Sequence, residues 1–190
     1  MFAKALREHL RPLHIELSPK QISQLEYHFE LLNRWNKVLN LTRIVGLDEM
    51  VQRHYCESLF VGIRLPQVPL RIVDVGSGAG FPGIPVAVLR GDCSVALVES
   101  HQRKSVFLRE ATRDLPNTRV IAKRAEQVSD AFDWGISRAV NYHDIEESVW
   151  RLAPNVALLG GEDTPSDRFT WNKIKLPWGS HRFLWLQRST

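Results

Sequence analysis

The stretch Asp74-Val75-Gly76-Ser77-Gly78-Ala79-Gly80-Phe81-Pro82-Gly83 constrains this 190-residue chain more than any other. The apolar run Leu70 to Val75 leads into it, and a helix-like segment, Gly83 to Arg90, leaves it. A strand that stops at closely spaced glycines and restarts as a helix makes a tight turn. Glycine permits both that turn and a close approach of the backbone to a ligand. In open parallel sheets ligands bind there, outside the carboxyl end of a strand.

The rest of the chain supplies such a sheet. Leu70 to Val75, Val95 to Val98, Val120 to Ala122, Trp134 to Ser137 and Val156 to Leu159 are short apolar runs. Helix-like segments separate them: Gly83 to Arg90, Arg103 to Asp114 and Asp144 to Leu152. This alternation predicts an α/β fold, a mostly parallel sheet with helices on both faces. Trp171 to Leu176 and Arg182 to Gln187 predict a closing hairpin. Ahead of the sheet, Ser18-Pro19-Lys20-Gln21 reads as a helix start, with Ser18 as cap, Pro19 in the first turn and Gln21 at the capping-box position. Ile22, Leu25, Phe29, Leu32 and Leu39 then recur on one helical face. A second helix is expected from near Asp48 through Leu59, before Pro66 and Pro69 punctuate the chain. The length fits one domain with an extension better than two independent domains. The expected division is a helical extension over 1–66 and a compact core over 67–190.

Composition removes several classes of function. No apolar stretch approaches the ~20 residues needed to cross a bilayer. Met1 to His14 carries Lys4, Arg7, Glu8 and Arg11 in place of a signal peptide's apolar region. A cytoplasmic protein is therefore expected. Cys56 and Cys93 show no CxxC spacing, so two reduced thiols are expected, without a disulfide framework or zinc site. His54 and Glu57 lie on adjacent helical turns but offer two ligands and no third, so no metal is expected. The formal net charge of +4 suits a polyanionic partner such as nucleic acid.

Two ligand readings of the glycine loop compete. Gly78, Gly80 and Gly83 fit GxGxxG, the dinucleotide fingerprint. Gly76, Gly78 and Gly80 fit GxGxG, which resembles the first motif of Rossmann-like methyltransferases. Asp74 favours the second: an acid two residues before the first glycine suits the amino end of a cationic cofactor and would repel a pyrophosphate. Glu99, at the end of the second strand, can accept both hydroxyl hydrogens of a ribose, at about the ~20-residue spacing of either cofactor class. Glu126 follows the third strand, where a carboxylate can face the exocyclic amine of adenine. Taken singly, each acid could be a solvated strand end or a helix cap; together, Asp74, Glu99 and Glu126 end three successive strands.

With these residues in place, the chain resembles the RsmG (GidB) family of small-subunit ribosomal RNA methyltransferases. Trp35-Asn36-Lys37 to Asn40-Leu41-Thr42 resembles the family's WNK…NLT signature, and His54 to Leu59 its H…[DE]S segment. Asp74 to Pro85 resembles the DVGxGxGxPGxP loop. Leu97-Val98-Glu99-Ser100 with Arg103-Lys104 and Phe107-Leu108, then Arg124-Ala125-Glu126 and Ile136-Ser137-Arg138-Ala139, complete the set. The resemblance implies a Rossmann-like class I methyltransferase core, S-adenosyl-L-methionine as cofactor, and methylation of the 7-nitrogen of a guanine in the 530 loop of 16S ribosomal RNA. It implies cofactor contacts at Gly76, Phe81, Ala125, Glu126 and Arg138; the glycine register adds Gly78, and position adds Glu99. One departure stands out. Members usually follow the fifth strand with a lysine-glycine pair, whereas here it runs into Gly160-Gly161-Glu162-Asp163.

The 7-nitrogen of guanine carries a lone pair and no hydrogen, so no general base and no catalytic triad is expected. Arg138 is expected to orient cofactor or substrate. Arg34, Lys37, Arg43, Arg53, Arg103, Lys104 and Arg124 are the candidates for phosphate contact in 16S ribosomal RNA or the small subunit, and a monomer is expected. Competing readings are a methyltransferase of another RNA, a protein or a small molecule, a nicotinamide-dependent oxidoreductase, and an RNA-binding homologue that has lost catalysis.

Overall fold

The computed structural model describes residues 1–138 and 142–188. Caps and periodicity set the helices, and pleat alternation sets which face each strand residue sees.

Helix α1 (Phe2–Leu10) was not anticipated; it buries Phe2, Leu6 and Leu10 at four-residue spacing. Helix α2 (Pro19–Leu39) starts on the expected capping box, with Ser18 Oγ accepting from Gln21 N–H and the Gln21 side chain accepting from Ser18 N–H. It ends on Asn40, whose φ of 48° is left-handed. Ile22, Leu25, Leu31 and Leu32 face the core from it, joined by His28. The second expected helix runs as α3 (Leu47–Met50), a π-helical segment over Val51–Cys56 and α4 (Glu57–Arg64). The π-helical segment matters to the site because it carries the buried residues His54 and Tyr55.

The seven-stranded sheet has the order β3-β2-β1-β4-β5-β7-β6. Its strands are β1 (Arg71–Val75), β2 (Ser94–Val98), β3 (Thr118–Ile121), β4 (Trp134–Arg138), β5 (Asn155–Gly160), β6 (Asn172–Lys175) and β7 (Phe183–Gln187). The first five pair in parallel, and β7 is antiparallel to both β5 and β6, the expected hairpin. Helices α5 (Gly83–Leu89), α6 (Gln102–Ala111) and α7 (Tyr142–Leu152) connect them.

Alternation sorts the strands' side chains. Ile72, Val95 and Leu97 join one core with α1, α2, α4, α5 and α6; Val73, Val75, Ala96 and Val98 join a second core with Val149 and Leu152 of α7. The sheet is covered on both faces, and strand order reverses between β1 and β4. The crevice at their carboxyl ends is where such a fold can hold a ligand.

Candidate cofactor and active site

The glycine loop settles its own register. Gly76, Gly78 and Gly80 have φ of 73°, 55° and 88°, whereas Gly83 lies inside α5. The left-handed positions therefore coincide with GxGxG. Gly83 is needed for space: a Cβ there would stand 2.3 Å from Leu97 Cδ2 and 2.5 Å from Asp74 Oδ2.

The loop is wired into the adjacent strand. Gly76 N–H and Ser77 N–H both donate to Val98 O, at 3.0 and 3.1 Å. Gly78 N–H donates to Glu99 Oε2 at 2.9 Å, and His101 N–H to Glu99 Oε1 at 2.8 Å. A carboxylate has about four acceptor positions, so two of the Glu99 lone pairs stay available. Glu99, Gly76, Ala125 and Glu126 line one cleft of about 230 Å³, together with Asp144 and Ile145 of α7. Ala125 is buried, its carbonyl accepting from Arg151 at 2.7 Å; Glu126 is exposed. Asp144 and Ile145 were not anticipated, because only the return of α7 over the sheet brings them to β1 and β2.

Asp74 sits differently from expectation. It shares the pleat face of Ile72, so its carboxyl lies fully buried beneath the loop and does not line the cleft. Oδ2 accepts Gly83 N–H at 3.0 Å and so fixes the start of α5, while Oδ1 is without a hydrogen-bond partner. Burial pushes this carboxyl up to about 7.

Phe81 and Arg138 lie on the other side of the loop, toward the helical extension. Phe81 is buried and stacked on His54 with centroids 4.7 Å apart, and the Arg138 guanidinium lies 5.1 Å over its ring. Arg138 Nη1 donates to Arg53 O and to His54 Nδ1, both at 2.7 Å. His54 Nδ1 is thus an acceptor, which leaves the ring hydrogen on Nε2, 2.7 Å from Thr42 Oγ1. Burial first, then the Arg138 charge, hold His54 well below its ordinary pKa. Burial also lowers Arg138 to about 10, against the opposing charges of Glu57 and Asp74, so it stays cationic near neutrality. Ala139, which ends the quoted resemblance, lies outside the described residues.

Glu57 and His54 do not bond to each other. Glu57 is fully buried and held by Arg182 at 3.2 and 2.7 Å. Among the described residues there is no group of three or more metal-ligating side chains. A second cavity of about 140 Å³ opens beside the first, between the ends of β4 and β5; Arg138, Tyr142, Asp163 and Trp185 line it, and Ile145 lines both. The site thus has a long cleft over the glycine loop and a compact annex next to Arg138.

The RNA-contact candidates spread over the surface. Arg34, Lys37, Arg43, Arg103 and Arg124 are exposed, while Lys104 and Arg53 are half-buried, Arg53 beside Glu49 at 3.3 Å.

A family model described as rRNA small subunit methyltransferase G matches residues 21–153. The chain belongs to that family. It is 30% identical over 185 residues to the ribosomal RNA small subunit methyltransferase G of Dictyoglomus thermophilum, covering 92% of this chain and 77% of that one. To the protein of the same name from Laribacter hongkongensis it is 39% identical over 162 residues, covering 83% and 75%. A solved SAM-dependent O-methyltransferase from Thermotoga maritima superposes with a TM-score of 0.57 at 11% identity, over 84% of this chain and 71% of that one. That likeness speaks for the fold alone. As a member of the family the chain is a methyltransferase with S-adenosylmethionine as its cofactor. The residues present fit this group: a cleft bordered by the Gly76 backbone, spare acceptors on Glu99 for ribose hydroxyls, and Glu126, a carboxylate that could face an exocyclic amine.

Proposed function

We propose that this chain transfers the methyl group of S-adenosylmethionine to the 7-nitrogen of a guanine in 16S ribosomal RNA, in the 530 loop, as a cytoplasmic monomer that requires no metal ion. The observation that carries the reading is the coincidence of three left-handed glycines, Gly76, Gly78 and Gly80, with Glu99 bonded to the turn they make, in a chain of this family.

When bound, the cofactor supplies a methyl group on a cationic sulfur. No residue has to protonate a leaving group, because the sulfur would keep the bonding pair as the positive charge passed to the base. Because the 7-nitrogen bears no hydrogen, the protein's work is alignment, an effect worth roughly 7–11 kcal/mol when geometry is well set. The site is built accordingly. Glu99, Glu126 and the glycine walls hold the donor. Arg138, with its guanidinium fixed by His54 and Arg53, borders the annex where the base would enter. His54 is held neutral, with its ring nitrogens bonded to Arg138 and Thr42, so it serves to hold Arg138 and not as a base. No helix of the described residues is long and apolar enough to cross a membrane.

The test is transfer of radiolabel from S-adenosylmethionine to 16S rRNA and to small-subunit particles, with the modified base mapped. Label in 7-methylguanosine at one site, unaffected by a chelator, is the expected result. Binding of S-adenosylhomocysteine without label on any RNA would refute it. That outcome would favour the second reading, RNA binding without transfer, which the absence of a lysine in Gly160 to Asp163 supports. RNA affinity should fall steeply between 50 and 200 mM salt if phosphate contacts carry it.

A further inference from the structure

We infer that His28, on α2 in the helical extension, is a positioning residue for the methyl donor, acting through the Ala79 carbonyl on the turn that carries Gly78. The inference rests on the reading that the cleft over Gly76 and Glu99 holds the donor.

His28 is fully buried, and its Nε2 lies 3.0 Å from Ala79 O. A carbonyl only accepts, so Nε2 carries the ring hydrogen and Nδ1 is the acceptor. Tyr55, from the π-helical segment and also fully buried, donates its hydroxyl to Nδ1 at 2.9 Å. The tautomer is therefore fixed by its partners, and a residue of the extension presents one aimed donor to the middle of the glycine loop. The fit is close: a Cβ on Gly80, whose φ is +88°, would stand 3.3 Å from His28 Nε2. The His28 ring also meets the Phe81 ring edge-on at 5.1 Å.

The consequence follows from peptide planarity. Holding the Ala79 carbonyl fixes the 79–80 peptide plane. One residue earlier, Gly78 N–H donates to Glu99 Oε2, so the turn anchored by His28 also sets how Glu99 faces the cleft. Gly78 and Gly80 are left-handed glycines on either side of Ala79, and glycines hold a conformation weakly by themselves. The His28 bond adds to the loop's own bonds a hold on this peptide from a separate helix. The same peptide unit is held at its other end from within the loop, where Gly80 N–H donates to Ser77 O at 2.7 Å; on its carbonyl side the bond comes from His28.

The experiment measures S-adenosylhomocysteine affinity by calorimetry, with KM for S-adenosylmethionine, KM for RNA and kcat, in His28→Leu, His28→Gln and Tyr55→Phe, each at a temperature where near-ultraviolet circular dichroism matches wild type. His28→Leu removes the donor at similar volume and is expected to weaken S-adenosylhomocysteine and raise KM for the donor about tenfold, leaving KM for RNA unchanged. His28→Gln, whose amide can donate to Ala79 O, is expected to recover most of that loss. Tyr55→Phe, which frees the Nδ1 side of the ring while keeping the packing, is expected to weaken binding a few-fold. A purely structural histidine would lower the melting temperature and leave these affinities alone. Wild-type affinity in folded His28→Leu, or in Tyr55→Phe should His28→Leu not fold, overturns the inference. Failure of the wild-type protein itself to bind S-adenosylhomocysteine overturns the cofactor reading and this inference together.

Discussion

Three buried groups make the stability of this protein acid-sensitive in a narrow window. Burial lowers His28 from 6.5 to about 4 and holds His54 lower still, so both stay neutral in the native state between pH 6.0 and 4.5. In the unfolded chain both are largely protonated there. Their depressed values therefore give stability that is present above about pH 6.5 and lost as pH falls. Asp74 acts in the opposite sense: raised from 3.8 to about 7, it holds a proton in the native state through the window and none in the unfolded chain. Two protons taken up on unfolding and one released leave a net uptake of about one. Linkage converts that into a slope of ~1.4 kcal/mol per pH unit, or about 2 kcal/mol lost between pH 6.0 and 4.5. Asp92, Asp130 and Glu162 carry lowered values too, but they contribute only as pH falls through or below their unfolded values of 3.8 to 4.5. The assay is urea unfolding of the ligand-free protein at 25 °C and constant ionic strength, followed by tryptophan fluorescence at pH 6.0, 5.3 and 4.5. His28→Gln should flatten the profile, because His54 and Asp74 then cancel. Equal stability of the wild type at pH 6.0 and 4.5, or an unchanged slope in His28→Gln, would refute the reasoning.

Three further substitutions probe separate parts of the molecule. Arg182→Ala strips the bidentate partner from the fully buried Glu57 and should cost about 3–5 kcal/mol by denaturant unfolding, part of which Glu57→Gln in the same chain should restore. Gly83→Ala pushes a methyl to within 2.3 Å of Leu97 Cδ2 and 2.5 Å of Asp74 Oδ2, and should destabilise by about 1–3 kcal/mol in a thermal melt. Glu99→Gln halves the acceptor capacity that Gly78, His101 and a ribose would share; calorimetry should show S-adenosylhomocysteine binding weakened at least tenfold, in a protein that still folds.

What the sequence made legible is what local rules determine. The Ser18 capping box, the alternation of apolar runs with helical segments and the spacing of Gly76, Gly78 and Gly80 all carry their meaning within a few residues, and each appears where it was read. Helix α1 escaped because Met1 offers no capping side chain and only Phe2, Leu6 and Leu10 mark its short buried face. The direction of Asp74 escaped for a different reason: an acid before a glycine loop reads as ligand-facing, but strand pleat, not motif, decides the side it sees. The partners Arg182 and Glu57 are 125 residues apart, and Asp144 reaches the cleft only through the fold of α7. His28 falls on the apolar face of α2 and gives no signal beyond its burial; its acceptor, Ala79 O, is a backbone atom that no side-chain pattern can announce.

These long-range contacts bear on how the extension relates to the core. Along α2, Gln21 donates to Val88 O at 3.0 Å, His28 to Ala79 O at 3.0 Å, and Trp35 Nε1 to Glu110 Oε2 at 3.0 Å. Those three acceptors belong to α5, the glycine loop and α6, so one helix is bonded to the loop and to the helices that follow β1 and β2. The next helix adds His54 on Arg138 and the Phe81 ring. One hydrophobic cluster accordingly runs from Phe2 through Leu97 to Leu186, without a break near residue 66. A boundary between domains falls where few contacts cross, and here the contacts that cross are the ones that shape the loop. The helix that carries the exposed Arg34 and Lys37 on its outer face therefore holds the glycine turn with its inner face. A movement of α2 would reach Ala79 through a single hydrogen bond, the one from His28.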